Sequence, residues 1–302
     1  MAWKILSFVF IVIVIVLLVV YWFVPFQNIE FIGFSEPNNN FTLYGETNMQ
    51  FYENMRYPSS EISYRIYDCP LMKKNNMERA FEILEKKTIL NFYDVLSEEE
   101  ISITCDSKNK FQEGLFIAGE GGPTNITKTD LFNVILKGKV LLIRDSNCPE
   151  PNVAIHELLH ALGFAHSENK NNIMYHITNC DQEIGQDTID LLNEIYSVEN
   201  LPDLNFVNIT AVMNGKYLNT NISVKNNGLK ISEKSTILIY SGEKLVHEFD
   251  LEKIDIGHGR KIYLENIWVS KISTGKLKFI IDANFPELNK ENNQVILKIK
   301  EK

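Results

Sequence analysis

Eleven consecutive residues, His156-Glu157-Leu158-Leu159-His160-Ala161-Leu162-Gly163-Phe164-Ala165-His166, admit few local structures. Side chains four apart in a helix lie on one face, so a helix here presents the imidazoles of His156 and His160 to one point. Gly163 is where that helix should stop, because glycine accepts the left-handed conformation that ends a helix. The chain then turns back and delivers His166 to the same point. Three neutral imidazoles form a zinc site with its fourth tetrahedral position open, which is the catalytic rather than the structural arrangement. Glu157, one residue beyond the first histidine, is positioned to take a proton from water on the metal as that water attacks a carbonyl. The chain has only six histidines, and three stand in this window. One zinc ion is expected, and nothing in the sequence supports calcium.

The continuation carries a resemblance. His166-Ser167, followed by Asn172-Ile173-Met174-Tyr175, is similar to the metzincin metallopeptidases, and within them to the matrixins. The resemblance implies a methionine turn in which Met174 lies beneath the three imidazoles. Met55-Arg56-Tyr57-Pro58, leading into Ile62-Ser63-Tyr64-Arg65-Ile66, resembles the matrixin first strand. Ile184-Gly185-Gln186-Asp187-Thr188-Ile189 resembles the closing helix, and Asp187 would support the methionine turn. Gly119-Glu120-Gly121-Gly122-Pro123 is either a surface turn or the glycine-rich stretch before a substrate-aligning edge strand. The chain also departs from the family. No cysteine precedes Cys69, so an inhibitory propeptide cysteine is not supported, and residues 101–155 contain no histidine for a second zinc. His176 stands where matrixins have proline; it is read as a loop histidine, with a role near the metal as the alternative.

Residues 5–24 are apolar apart from Ser7, long enough at 1.5 Å per residue to span a bilayer core of roughly 30 Å. The run ends in bulky residues around Tyr21 and Trp22 rather than in a small-residue cleavage site. Lys4 precedes it and residues 25–55 hold no Lys or Arg, so the positive-inside bias puts the N-terminus inside and the rest outside. A single-pass anchor in the cell membrane is therefore expected, with the catalytic domain on the extracytoplasmic side. Cys69, Cys105, Cys148 and Cys180 all follow it, in keeping with two disulfides in an oxidising compartment. Three pairings are open. Cys69–Cys105 and Cys148–Cys180 are expected, the first joining two strand ends and the second clamping the approach to the catalytic helix against the segment after Met174.

The organisation read from these signals is a transmembrane anchor (1–24), a stalk or packed lead-in (25–55), a matrixin-like metallopeptidase domain (56–200) and an Ig-like domain (204–302). The fold class is α+β, a mixed sheet with long helices, followed by an all-β sandwich of about seven strands. Turn residues such as Asn226-Asn227-Gly228 and Ser241-Gly242-Glu243 separate short alternating segments there. This last part resembles the adhesion-related (CARDB-like) domains of surface proteins, which allows for a surface partner. Within the catalytic domain, helical spacing of Met77, Phe81, Leu84, Thr88 and Phe92 predicts a helix over residues 77–96. Residues 134–143 read as two short strand-like runs.

A formal net charge of −9, with Lys and Arg dispersed, argues against a nucleic-acid partner. The reading is a membrane-anchored extracellular zinc endopeptidase acting on peptide or protein substrates. Its alternatives are an inactive protease-like adhesion protein and a zinc amidase acting on cell-wall material. Inactive relatives usually lose the glutamate or a ligand, and here Glu157 and all three histidines are present.

Overall fold

The computed structural model describes residues 2–23, 28–32, 49–107, 110–112, 115–144, 148–269 and 275–299. The chain is mixed α and β, mostly strands, with four helices among the described residues. It divides into two compact units. One comprises residues 1–38, 203–226 and 231–302, and the other residues 39–202 and 227–230.

The first unit begins with α1 (Ala2–Phe23) and β1 (Asn28–Ile32). Side chains are described in α1 for Trp3 and residues 5–19, and all of these are exposed. Among the described residues no helix is long and apolar enough to cross a membrane. The end of the expected anchor, Val24, lies outside them.

The second unit opens with β2 (Met55–Arg56), β3 (Glu61–Ile66), α2 (Leu71–Lys87), β4 (Asn91–Asp94) and β5 (Ile101–Cys105). A ribbon of β6 (Lys110–Gln112) and β7 (Leu115–Ile117) follows. Then come β8 (Gly119–Lys128), β9 (Asn133–Leu142), α3 (Asn152–Ala161) and α4 (Gln186–Tyr196). The sheet runs β2-β9-β5-β3-β4 with every neighbour parallel, and β8 adds to β9 antiparallel. Among the described residues β8 has no partner on its other side, so it is an edge.

Two local expectations differ from what forms. The helix spans Leu71–Lys87 rather than 77–96, because Thr88 ends it: its Oγ1 and backbone N–H both bond Leu84 O. Phe92, though in helical register with Leu84 and Thr88, lies on β4 and packs with Phe81 at 4.6 Å between rings. Nearly all of residues 134–143 lie in the single strand β9 (Asn133–Leu142) rather than in two runs, since β9 is paired with β5 on one side and β8 on the other.

The core of this unit joins Met77, Phe81 and Leu84 of α2 to Ile62, Ile101, Ile103 and Val140 of the sheet and Ile155, Leu158 and Leu159 of α3. All of α3 except Val153 is buried, including its polar residues Asn152, His156, Glu157 and His160. Each fully buried leucine or isoleucine there contributes roughly 1.5–3 kcal/mol, so the zinc-site helix is anchored by its neighbours rather than by propensity. Arg56, 1% exposed, donates to the carbonyls of Ile195, Val198 (3.1 Å), Tyr57 (2.9 Å) and Pro58 (3.1 Å). Its cation thus meets the carbonyl end of α4, where a positive charge is favoured. Burial lowers its pKa to about 10. Disulfides join Cys69 to Cys105 and Cys148 to Cys180.

The first unit is completed by β10 (Leu204–Asn214), β11 (Tyr217–Asn226), β12 (Ser235–Ser241), β13 (Lys244–Leu251), β14 (Gly259–Trp268), β15 (Lys276–Asp282) and β16 (Gln294–Ile299). With β1 they form one antiparallel path, β13-β12-β15-β16-β1-β10-β11-β14. Alternate residues of β10, β11, β12 and β15 point into a core that includes Phe206, Ile222, Ile237 and Phe279. The strand β1, from the stretch read as a stalk or lead-in, is thus the bridge between β10 and β16. Its five residues are too few to show a period, and its pairing partners lie far along the chain, at residues 211–214 and 298–299.

Candidate metal centre

The zinc-site helix α3 starts behind Pro151 and ends in a Schellman arrangement: Gly163 N–H bonds His160 O at 2.9 Å, and Phe164 N–H bonds Leu159 O at 3.0 Å. Gly163 sits at φ +98°, a conformation that side chains resist. A Cβ there would also stand 2.6 Å from Met55 Cγ. The turn returns His166 to the helix face.

One nitrogen from each of His156, His160 and His166 lies within 4.8 Å of the others. The Nε2 atoms of His160 and His166 are 3.1 Å apart, close to the separation of about 3.4 Å for two nitrogens bound at 2.1 Å to one tetrahedral zinc. Two of the rings are held from behind. His156 Nδ1 is 2.6 Å from Ile173 O and His160 Nδ1 is 2.7 Å from Phe164 O. A carbonyl can only accept, so each Nδ1 carries the proton and each Nε2 turns its lone pair to the shared point. Burial lowers the pKa of all three, that of His160 to about 4, which keeps the imidazoles neutral as a metal requires.

Glu157, 6% exposed, is pushed up to about 8, first by burial and then by the nearby Glu120. The edge strand passes directly over it. A Cβ on Gly119 would be 2.6 Å from Glu157 Cγ, and one on Gly121 2.1 Å from Glu157 O, so only glycine lets β8 approach α3 this closely. The stretch Gly119–Pro123 is thus the start of the edge strand itself.

Met174 is 2% exposed, in the turn that runs on from the carbonyl of Ile173. Asn172 holds that turn: its Oδ1 accepts Met174 N–H at 2.8 Å, and its backbone O accepts Tyr175 N–H at 2.9 Å. The sequence reading assigned Asn172 no role, although an asparagine two residues ahead of a bonded N–H is the mark of an Asx turn. Asp187 Oδ1 accepts Thr188 N–H at 2.8 Å. A Cβ on Gly185 would stand 2.2 Å from Asp187 Oδ1 and 2.7 Å from Asn172 Nδ2, so both groups meet at this glycine. His176 is exposed, 6.4 Å from His166 between ring centroids and 4.2 Å from Tyr175. Phe51 stacks on His160, a contact that nothing in its local sequence announces.

The model of the peptidase family Astacin matches residues 49–254, well over half of the chain. The chain belongs to the astacin family. It is therefore a metzincin-type zinc metallopeptidase, a hydrolase of peptide or protein substrates. The single catalytic zinc of the astacin family fits the cluster of His156, His160 and His166. No curated protein matches this astacin-family chain. Among solved structures, the CARDB domain of a Pyrococcus furiosus protein in complex with di-metal ions is similar to it at 18% identity and a TM-score of 0.27. That likeness covers 33% of this chain and 88% of the other.

Proposed function

We propose that this chain is an endopeptidase in which Glu157 serves as general base, tethered to a membrane with its catalytic unit outside. The observation that carries the catalytic reading is the position of Glu157. It adjoins His156 on a buried helix, and its side chain lies against Gly119 of the edge strand. Without metal, burial pushes its carboxyl up to about 8; a zinc cation beside it would favour the carboxylate, which can take a proton from attacking water and pass it to the leaving amine. Zinc in the site would supply Lewis acidity, polarising the carbonyl and acidifying water. Among the described residues no strand pairs the outer side of β8, and such an edge would offer main-chain hydrogen bonds to an extended peptide, which favours a polypeptide over a small amide. Met174 would floor the ligands, with Asn172 and Asp187 holding its turn, and Gly163 would aim His166. Ser167 and the run Asn172–Tyr175 support a matrixin-like form of this turn within the metzincin frame.

The anchor is supported by the apolar run of residues 5–24 and by the exposure of every described side chain of α1. The run's flanking charge supports the outward orientation. The eight-stranded unit, read as an Ig-like, CARDB-like domain, would then present a surface for a partner.

The catalytic reading is tested with unbiased peptides, with and without chelator, alongside Glu157→Gln. We expect full zinc content in the variant and a 10²- to 10⁴-fold loss of hydrolysis, roughly the contribution of a general base. Near-normal turnover in the variant would remove Glu157 from the role. Orientation is tested by external protease on intact cells. Loss of residues 205–302 is expected, and their protection would reverse it.

A further inference from the structure

Residues 49–55 are pinned beside the metal ligands. Ala165 N–H bonds Met49 O and Phe51 N–H bonds Gly163 O, both at 2.9 Å, around an antiparallel bridge from Gln50 to Phe164. This is the turn that carries the chain from α3 to His166. Gln50, 8% exposed, closes the segment on itself: its Nε2 donates to Met55 O at 2.7 Å and its Oε1 accepts Met55 N–H at 3.0 Å. Asn54 Nδ2 donates to Leu131 O at 3.1 Å, and Asn133 N–H donates to Asn54 O at 3.3 Å. A short turn is thereby held at both ends, and Phe51 and Tyr52 stand on it.

The Phe51 ring lies nearly parallel to that of His160, with 5.8 Å between centroids and 20° between planes. Yet Phe51 is 44% exposed and Tyr52 59%, whereas His160 is only 8% exposed. Two neighbouring rings held in place and left open to water offer apolar surface to whatever enters beside them. Here the ring adjoins a ligand of the catalytic metal, beside the point where a scissile bond must come.

We propose that Phe51, with Tyr52 beside it, forms an apolar wall of the substrate cleft. Peptides carrying a large aliphatic or aromatic side chain close to the scissile bond are then the preferred substrates. The proposal rests on the endopeptidase reading. It assigns Phe51 to specificity, since the ring offers no group that can move a proton.

The test compares the full chain, zinc-loaded, with Phe51→Ala and Phe51→Leu on a peptide library, with metal content measured for each. Phe51→Ala should keep one zinc and cleave peptides with small side chains within about 3-fold of wild type. On peptides with large apolar side chains at one subsite it should lose about 10-fold or more in kcat/KM, the scale of a lost hydrophobic contact. Phe51→Leu should restore most of that preference. An equal loss across all peptides would make Phe51 a structural residue and overturn the proposal. So would an unchanged profile, or a wild-type preference for Lys or Arg at that subsite, which would mean recognition by the ring's quadrupole. If zinc-loaded wild type cleaves no peptide at all, the endopeptidase reading itself falls, whatever the variants do.

Discussion

His156 Nδ1 donates to the carbonyl of Ile173 at 2.6 Å, which ties the first zinc ligand to the residue just before Met174. The helix α3 and the turn that carries Met174 are therefore one mechanical unit. The orientation of an imidazole on α3 depends on how firmly a loop beyond the third histidine is held. In that loop one restraint is Asn172, 8% exposed and bonded through Oδ1 to Met174 N–H, beside the backbone bonds from Ser167 N–H to Met174 O and from Ile173 N–H to Glu183 O, both at 2.8 Å.

Asn172→Ala should therefore weaken zinc binding without touching a ligand. The loss of an outer-shell restraint of this kind costs roughly 10- to 100-fold in metal affinity. The buried N–H left without its partner costs about 1–3 kcal/mol in stability. Chelator competition and urea unfolding would measure the two effects separately. Wild-type zinc affinity in the variant would show that the turn is held by other contacts.

The approach of β8 to α3 makes a paired prediction. Gly121→Ala puts a Cβ 2.1 Å from a backbone oxygen of Glu157, so strand or helix must shift. Overpacking of this sort costs about 1–3 kcal/mol, and hydrolysis should fall at least 10-fold because Glu157 moves with the helix. A Cβ on Gly122 meets nothing within 4 Å, so Gly122→Ala should leave stability within about 0.5 kcal/mol. Equal effects at the two positions would rule out the close-approach account.

Protons and zinc should compete in a defined sense. The histidines titrate below their usual value of about 6.5 in the folded, metal-free chain, His160 near 4, while in the unfolded chain they titrate near 6.5. Without metal, stability is thus lost as pH falls through 6.5, and the loss continues down to the folded values. Zinc, which needs neutral imidazoles, should be retained to below about pH 6 in equilibrium dialysis. Glu157 has the opposite shift, to about 8, so it holds a proton at pH 7 until a cation arrives. Calorimetry in buffers of different ionisation enthalpy should find about one proton released per zinc in wild type and none in Glu157→Gln.

Serine replacement of either disulfide pair should cost about 2–4 kcal/mol in urea unfolding, with little difference between them, since the pairs are separated by 36 and 32 residues. Zinc affinity should distinguish them. Cys148–Cys180 joins the approach to α3 to the segment after Met174, so its loss should loosen the ligands, while loss of Cys69–Cys105 should not. Equal zinc affinity in both variants would deny Cys148–Cys180 that role.

What the sequence determined by itself about this protein is local in origin. The positions of His156 and His160 on one helical face and the stop at Gly163 follow from backbone bonds between residues a few apart, whereas the segment that returns His166 is also held by bonds to Met49 and Phe51. Periodicity reports the local bonds directly. The same rule misreads α2, because Phe92 continues the helical spacing while Thr88 turns the backbone out of the helix. Tertiary structure alone decided which distant segments meet. That β1 lies between β10 and β16 depends on pairing across nearly the whole chain, and five residues carry no signal of it. That Gly119 and Gly121 are seats for α3 rather than a surface turn depends on a packing distance. That Arg56 meets the end of α4, and Phe51 the ring of His160, depends on chain closure over more than a hundred residues. A helix is selected by hydrogen bonds its own sequence supplies. A contact between distant segments is selected by the burial and pairing that the whole fold makes available, and no short stretch of residues encodes it.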